Sequence, residues 1–313
     1  MLQRLIYLAF IFSISATYAC KPKGKQAPLT QTEKGSIQID ESILDFAIEG
    51  NGRDCLVIGS SVYYPRTFSA ELRKHLRMHF VDLKWFAKGY QKEELSEVDI
   101  ASILEDVEQI RKELSLEKVL IMGHSIHGTI ATEYVKAYPD AVSGLVVIGS
   151  PSQWGNEAYD QKAAELWASA SEERKQIQEK NWGKSQEIDR LTGQEEASAR
   201  YNNMSPQYWY NPTYDASWLW EGMTVHSELT QHLFTQVFKD YDMFDPPVPI
   251  SVPVFIALGK YDYVIPHTLW KDEYESIGDL RLIRFDTCGH TPQLEVQQAF
   301  DRELIAWLGD RYL

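Results

Sequence analysis

A serine, an aspartate and a histidine, far apart in this chain, could together break an ester or amide bond. Ser125 lies in the segment Gly-His-Ser-Ile-His-Gly (123–128), Asp262 follows the apolar run 254–258, and His290 ends the segment Cys-Gly-His. A histidine held in one tautomer by a carboxylate can take the proton of a serine hydroxyl, which makes that hydroxyl a nucleophile. We therefore predict that these three residues form a catalytic triad.

The sequence around Ser125 predicts a strand that turns sharply into a helix. Residues 119–122 form a short apolar run, and apolar side chains recur at helical spacing after the serine. On such a turn the serine is exposed, and the N–H of the next residue, Ile126, can donate to an oxyanion. His127 stands two positions after the serine, where a small residue is expected, and Gly128 comes one step later. A serine that only caps the helix is the alternative.

Asp262 and His290 each lie just past a predicted strand, at 254–258 and 280–285. Active sites of open α/β sheets assemble at the carboxyl ends of strands. The chain order serine, aspartate, histidine is also the order found where the nucleophile stands on a strand-to-helix turn. Asp262 could instead close a turn and His290 could be structural, but three positions in register favour the catalytic interpretation.

These segments resemble the α/β-hydrolase superfamily, and within it the capped enzymes similar to proline iminopeptidases and related esterases. The resemblance covers about residues 36–313. Its most specific parts are the Ser125 turn, Gly-Lys-Tyr-Asp-Tyr-Val-Ile-Pro (259–266) and Cys-Gly-His-Thr-Pro-Gln-Leu-Glu (288–295). The mechanism that it implies uses no cofactor. A metal site is not expected either, because the histidines beside Ser125 lack the companions of a metal-binding motif.

The family usually carries His-Gly-Gly-Pro-Gly or a relative after its third strand, whereas this chain has Ile-Gly-Ser-Ser-Val (58–62). Gly59 keeps the flexible turn, and the resemblance makes the backbone amide of Ser60 the second oxyanion donor, beside Ile126. A backbone donor needs only suitable φ and ψ angles, so the oxyanion hole can survive the change. The Ser125 turn also departs from the Gly-Gly-Ser-Trp-Gly form of iminopeptidases, which weakens the peptidase interpretation.

Strands that alternate with helical stripes predict an α/β protein with a mostly parallel, doubly wound sheet, the α/β-hydrolase fold. The predicted strands are three within 36–58 and one each at 79–83, 119–122, 144–148, 254–258 and 280–285. The predicted helices are 67–78, one beginning near Asp99, one after Ser125, and 296–308. The alternation of predicted strands and helices stops between residues 151 and 250. This predicts a helical cap, inserted into an α/β core formed by residues 36–150 and 251–313.

The predicted cap contains six of the nine tryptophans. Large aromatic side chains in a small lobe usually form its own core. A segment shaped by two prolines is nevertheless the best candidate to face the substrate, and its candidate residues are Tyr208, Trp209, Tyr210, Tyr214 and Asp215. Such a wall favours an apolar or ring-bearing substrate group. The resemblance to iminopeptidases implies a cap carboxylate for a free amine, for which Asp215, Glu221 and Glu228 are candidates.

The first twenty residues predict export. An apolar stretch at 5–14 is followed by small residues, the pattern of a secretory leader and too short for a comfortable transmembrane helix. Residues 17–20 resemble a bacterial lipoprotein cleavage site. We therefore expect a signal peptide at 1–19, an acylated Cys20 and a polar tether at 20–35, which would hold the protein at the cell envelope through lipid alone. Cleavage without lipidation, giving a soluble periplasmic protein, is the alternative.

The net charge of the chain limits the kinds of partner that it is expected to bind. A net charge of −14 argues against nucleic acid and against electrostatic adhesion to anionic lipid. Cys55 and Cys288 are expected to be free thiols. The sequence thus favours a serine hydrolase for a small-molecule or short-peptide ester or amide. A proline iminopeptidase-like aminopeptidase and a non-catalytic binding protein on the same fold are the alternatives, the altered loop at Ser60 being the only feature that favours the latter.

Overall fold

The computed structural model describes residues 32–90, 95–270 and 277–312, which are built around an eight-stranded sheet. In chain order the strands are β1 (Glu33–Ile39), β2 (Ser42–Gly50), β3 (Arg53–Gly59), β4 (Leu76–Asp82), β5 (Val119–His124), β6 (Val142–Ile148), β7 (Gln153–Trp154), β8 (Tyr241–Asp242), β9 (Val254–Gly259) and β10 (Leu280–Phe285). The sheet order is β1-β2-β4-β3-β5-β6-β9-β10, while the short strands β7 and β8 pair separately. Along this sheet order, the strands from β4 to β10 are parallel to one another. At the other edge β1 pairs antiparallel with β2, and β2 pairs antiparallel with β4. The predicted α/β-hydrolase fold is confirmed.

Helices cover the sheet and form a lobe between β6 and β9. They are α1 (Ile100–Glu113), α2 (Ile126–Ala137), α3 (Glu157–Ala168), α4 (Glu172–Trp182), α5 (Ser185–Ile188), α6 (Gly193–Asn203), α7 (Ser205–Tyr208), α8 (Ser217–Trp220), α9 (Ser227–His232), α10 (Pro292–Glu295) and α11 (Gln297–Tyr312). A π-helical turn, Leu233–Val237, continues α9. The lobe comprises α3 to α9 and the strands β7 and β8.

Two apolar layers hold the helices against the sheet. Successive residues of a strand point to opposite faces, so Ile121 and Val147 belong to the layer beneath α1 and α2. Their neighbours Met122 and Val146 belong to the layer that includes Trp307 of α11. Strands buried on both faces read as continuous apolar runs, which is why the sequence reveals β5, β6 and β9 so clearly.

Helix α1 begins directly after Asp99, where the sequence predicts a helix, and a capping box forms its start. The Asp99 carboxylate accepts the Ser102 backbone N–H at 2.9 Å, and the Ser102 hydroxyl accepts the Asp99 N–H at 3.1 Å. Two backbone donors that a helix start leaves free are thereby satisfied.

The helix predicted over 67–78 is wrong: residues 76–78 belong to β4, and the Arg73 side chain binds backbone carbonyls of the segment before it. The Arg73 guanidinium donates to the carbonyl oxygens of Pro65, Phe68 and Ser69 at 2.7 to 2.8 Å. It also pairs with Glu49 of β2 at 2.6 Å. Only a short 3-10 turn forms here, and β4 follows it directly.

The predicted leader, the acylated Cys20 and most of the predicted tether lie outside the described residues. Strand β1 begins at Glu33, so the sheet starts before the predicted end of the tether at residue 35. None of the described helices is long and apolar enough to cross a bilayer. Cys55 and Cys288 are both buried free thiols, as predicted.

We expect Asp99→Ala to lower the free energy of unfolding by about 0.5–2 kcal/mol, because the first turn of α1 loses its side-chain acceptor. Urea unfolding should show a lower midpoint with an unchanged slope. An unchanged midpoint would mean that the cap contributes nothing to stability.

Candidate active site

The backbone of Ser125 is strained and tightly held. Its φ of 57° and ψ of −131° lie in a region that residues with a side chain rarely adopt. The Ser125 N–H donates to the Ile148 carbonyl of β6 at 2.8 Å. Its carbonyl accepts the Gly128 N–H at 2.9 Å and the Ser150 hydroxyl at 2.5 Å. These contacts keep the serine on the sharp turn from β5 into α2 that the sequence predicts.

Two glycines let the first turn of α2 approach the sheet. A Cβ on Gly123 would lie 2.1 Å from the His127 carbonyl oxygen, and one on Gly128 would lie 1.9 Å from Ser150 Oγ. Neither contact is possible for a larger residue. The close approach after the serine therefore falls on Gly128, one position later than the familiar pattern, which leaves position 127 open to a large side chain.

His127 uses this freedom to pack beneath the loop that carries Ser60. Its ring stacks on Trp85 with the centroids 5.6 Å apart, and its Nε2 accepts the Trp85 indole N–H at 3.2 Å. Since an indole nitrogen only donates, the ring proton sits on Nδ1, which lies 2.7 Å from the Tyr64 hydroxyl. Gly59, at φ 129°, gives the ring room, because a Cβ there would lie 2.9 Å from it. Burial lowers the pKa of His127 to about 4.

Asp262 and His290 form a buried pair at the carboxyl ends of β9 and β10. Asp262 Oδ2 lies 2.6 Å from His290 Nδ1, and both side chains are at most 5% exposed. Asp262 Oδ1 accepts the backbone N–H groups of Val264 and Ile265 at 3.1 and 2.8 Å, which orients the carboxylate. Because a carboxylate only accepts, Nδ1 carries the proton, and Nε2 is left as an acceptor.

Glu295 shapes the loop around His290, a role that the sequence did not reveal. Glu295 Oε1 accepts the N–H groups of Gly289 and Thr291, on either side of the histidine, at 3.1 and 3.0 Å. Its Oε2 accepts the Tyr210 N–H of the cap at 2.7 Å. Burial raises the pKa of this carboxyl, and the three backbone donors oppose that rise. The motif 288–295 ends on this glutamate, and that position was the only sequence feature that could have indicated its role.

The backbone of His290 is also held directly, from the cap and from the Ser125 turn. Its N–H donates to the Tyr208 carbonyl at 2.6 Å, and its carbonyl accepts His124 Nε2–H at 2.9 Å. The Tyr208 ring lies against the imidazole, with the centroids 5.0 Å apart. The position of the histidine therefore depends on the cap as well as on the core.

The loop after β3 is held by side chains in place of the family's usual glycines and proline. Ser60 Oγ accepts the N–H groups of Val62 and Tyr63, both at 3.1 Å. Asp82 accepts the Ser61 N–H at 2.6 Å, and burial raises the pKa of Asp82 to about 7. Among the described residues, no protein acceptor takes the backbone N–H of Ser60 or of Ile126. Both therefore stay available as the predicted oxyanion donors.

A cavity of about 750 Å³, partly open to solvent, brings these groups together. Its lining includes Ser125, His290, Ser60 and Ile126. Most of the remaining wall is aromatic or aliphatic, and sequence reasoning missed much of it: Tyr63, Tyr64, Trp85, Phe86, Tyr201, Trp220, Met223, Leu233 and Phe234. In the sequence, the aromatic residues Tyr63 and Tyr64 directly after the Ser60 loop were the one feature that could have predicted part of this wall. Within the ranges described, no three His, Cys, Asp or Glu side chains are grouped to hold a metal ion.

Of the five predicted cap residues, Tyr208 and Trp209 line this cavity. The other three lie off it. Tyr210 is 44% exposed, and Tyr214 packs on Trp209 with ring centroids 4.6 Å apart. Asp215 is exposed and accepts the N–H of Ser217 at the start of α8. Its carboxylate thus serves a turn of the cap.

The buried Arg174 of α4 decides which way this segment faces. It donates to the carbonyl oxygens of Pro206, Trp209 and Tyr210 at 2.6 to 2.8 Å. Its guanidinium also lies 5.2 Å from the centre of the Tyr263 ring. Three carbonyls drawn to one cation pin the segment, with Tyr208 and Trp209 inward.

Comparison with known proteins agrees with this architecture. The family model described as alpha/beta hydrolase fold matches residues 57–296. The AB hydrolase superfamily protein YclE of Bacillus subtilis is 31% identical over 271 residues, which span 85% of this chain and 95% of that protein. The chain belongs to the α/β-hydrolase family.

More distant relatives differ in what they act on. The chain is 23% identical to the pimeloyl-[acyl-carrier protein] methyl ester esterase of Aliivibrio fischeri, over 83% of this chain and 95% of that protein. The crystal structure of the proline iminopeptidase of Mycobacterium smegmatis superposes with a TM-score of 0.66 at 13% identity, over 89% of this chain and 98% of that one. At that identity the likeness shows the fold alone.

We expect Gly128→Ala to lower the free energy of unfolding by about 1–3 kcal/mol, because its Cβ must displace Ser150 or the first turn of α2. Gly278→Ala is the matched control, since no atom of the described residues lies within 4 Å of the added Cβ. Urea unfolding of the two variants measures the difference. Equal stability of both would show that the close approach at Gly128 is not required.

The stability contributed by His127 should depend on pH. Its pKa of about 4 lies below the unfolded value of about 6.5, so the native state binds fewer protons between these values. The contribution is complete above about pH 6.5 and is lost as the pH falls toward 4. In urea unfolding, the stability gap between wild type and His127→Phe should therefore narrow by about 2 kcal/mol from pH 7.5 to pH 5. A gap that stays constant would refute the depressed pKa.

Proposed function

We propose that this protein is a serine hydrolase that cleaves a small carboxylic ester or amide through an acyl-enzyme on Ser125. The observation that carries the proposal is the buried Asp262–His290 pair, which opens on the same cavity as the strained Ser125. Family membership and the predicted order of these residues along the chain support it.

In the first half-reaction, Ser125 Oγ attacks the substrate carbonyl carbon while His290 Nε2 takes its proton. The carbonyl oxygen becomes an oxyanion, which accepts the N–H groups of Ile126 and Ser60. The bond to the leaving group then breaks, and His290 Nε2 returns the proton to that group. Asp262 keeps the imidazole oriented and stabilises its charged form.

In the second half-reaction, water attacks the acyl group on Ser125 with His290 again as the base. The tetrahedral intermediate collapses, the proton returns to Ser125, and the acid product leaves. Each step uses the same two backbone donors, which costs no reorganisation between the half-reactions.

The aminopeptidase alternative needs a carboxylate near the cavity. Asp215 and Glu221 are exposed and do not line it. Glu228 lines a neighbouring outer cavity, so it is the remaining candidate for binding a free amine. Prolyl-naphthylamide hydrolysis that is lost in Glu228→Gln would favour the aminopeptidase.

Wild-type protein should be labelled by a fluorophosphonate probe, and Ser125→Ala should not be, because the probe needs an activated serine. We expect kcat/KM for p-nitrophenyl acetate to fall by about 10⁴ or more in Ser125→Ala. Intact mass spectrometry and initial rates measure the two effects. Ser169→Ala, an exposed serine that lines none of the cavities described, is the matched control.

Labelling that persists in a folded Ser125→Ala would show that another residue is the nucleophile. A folded wild type that is not labelled would favour the non-catalytic binding protein on this fold.

A further inference from the structure

The direction of the Ser60 backbone N–H follows from the hydrogen bonds at the end of the sheet. Strand β3 lies between β4 and β5, and Ser125 comes directly after β5. The carbonyl of Gly59, the last residue of β3, accepts the Leu83 N–H on the β4 side at 3.1 Å. The Gly59–Ser60 peptide is trans, so its carbonyl and its N–H point in opposite directions. The Ser60 N–H therefore points to the β5 side, where Ser125 lies.

A side chain at the end of β4 holds the next peptide. Asp82 is the last residue of β4 and pairs with Gly59 in the parallel register. Its Oδ1 accepts the Ser61 N–H at 2.6 Å. In a parallel ladder that continued past this point, a backbone carbonyl of the neighbouring strand would accept that N–H. The Asp82 carboxylate supplies the acceptor instead, after β3 has ended.

The two peptides on either side of Ser60 are thus both bound to the end of β4. The planes of these two peptides set φ and ψ of the residue between them. Among the described residues, the bond to Asp82 is the only hydrogen bond made by the Ser60–Ser61 peptide. The Ser60 hydroxyl binds the N–H groups of Val62 and Tyr63, which lie beyond that peptide. The conformation of Ser60 therefore depends on Asp82.

The acceptor oxygen of Asp82, rather than its negative charge, suits this role. The side chain is buried, and in either protonation state the carboxyl keeps an oxygen that accepts the Ser61 N–H. A negative charge beside the loop would oppose the oxyanion that the loop has to bind. An uncharged side chain with an acceptor in the same place should therefore support catalysis equally well.

We propose that Asp82 is a positioning residue of the oxyanion hole, which aims the Ser60 N–H by holding the peptide that follows it. Asp82 does not line the active-site cavity and acts only through the loop. This inference rests on the proposed function of Ser125 and adds a residue on which the rate of the same reaction depends.

The test compares Asp82→Asn with Asp82→Ala in the hydrolysis of p-nitrophenyl acetate. The Asn side chain keeps an oxygen that accepts the Ser61 N–H, so kcat should stay within about threefold of wild type. The Ala variant loses the acceptor, and we expect kcat to fall by about 10- to 100-fold, part of the cost of losing an oxyanion donor outright. KM should change little, because the oxyanion forms only in the transition state. Initial rates measured over a range of substrate concentrations give both constants.

A tetrahedral inhibitor distinguishes a misdirected donor from a general loss of structure. Phenylboronic acid forms a tetrahedral adduct with a serine hydroxyl, and one boron oxygen then lies in the oxyanion hole. Its Ki should rise in Asp82→Ala by about the factor by which kcat/KM falls. Asp99→Ala is the matched control, because it also removes a carboxylate that accepts a backbone N–H, at the start of α1. That variant should leave kcat/KM and Ki unchanged.

Asp82→Glu replaces Asp82→Ala if the Ala variant shows no cooperative urea transition. It keeps the carboxylate but moves its oxygens by one methylene, so kcat should fall by about tenfold while Asp82→Asn stays near wild type. Wild-type kcat and Ki in the Ala or Glu variant would overturn the proposal. An Asn variant as slow as the Ala or Glu variant would overturn it too, because the acceptor oxygen would then not be what matters.

Fluorophosphonate labelling of the wild type separates this failure from that of the proposed function. A labelled, active wild type with unaffected Asp82 variants removes only the role of Asp82. An unlabelled, inactive wild type removes the triad and this inference together.

Discussion

The strained backbone of Ser125 is the constraint on which the rest of the site depends. A residue with a side chain holds a φ of 57° and a ψ of −131° only where its surroundings over-determine it. Here the Ile148 carbonyl binds the Ser125 N–H, and the Gly128 N–H and the Ser150 hydroxyl bind its carbonyl. Those bonds require that α2 and the end of β6 approach closely. Small residues at 123 and 128 and a short polar one at 150 are consequences of that requirement.

A second dependence links the cap to His290. The Tyr208 carbonyl, at the end of α7, binds the His290 N–H, and Glu295 binds backbone donors of both the His290 loop and the cap. Arg174 holds the same cap segment through three carbonyls. Moving the segment away would leave several of these buried groups without partners, at a cost of about 1–3 kcal/mol each. The cap thus belongs to the framework that positions the histidine, in addition to being a cover over the cavity.

Much of the architecture is predictable from the sequence, because buried strands need apolar residues and these form recognisable runs. β5, β6 and β9 are covered on both faces and stand out as apolar runs, and Asp99 marks the start of α1 by its capping chemistry. What depends on contacts between distant residues could not be predicted. Arg73 binds carbonyls of the segment that was predicted to be helical, and Arg174 binds the carbonyl of Tyr210, whose side chain is exposed. The bond from Tyr210 to Glu295 likewise forms only when the cap folds against the core.

The two places where the chain departs from the family pattern are connected in space. The missing glycine at position 127 puts an imidazole beneath the loop of Gly59 and Ser60, which is the loop that lacks the usual His and Pro. His127 hydrogen-bonds to Tyr64, which follows that loop, and to Trp85, which follows β4, while Gly59 at φ 129° leaves space for the ring. Together the two departures form one packed unit, so neither departure argues against catalysis.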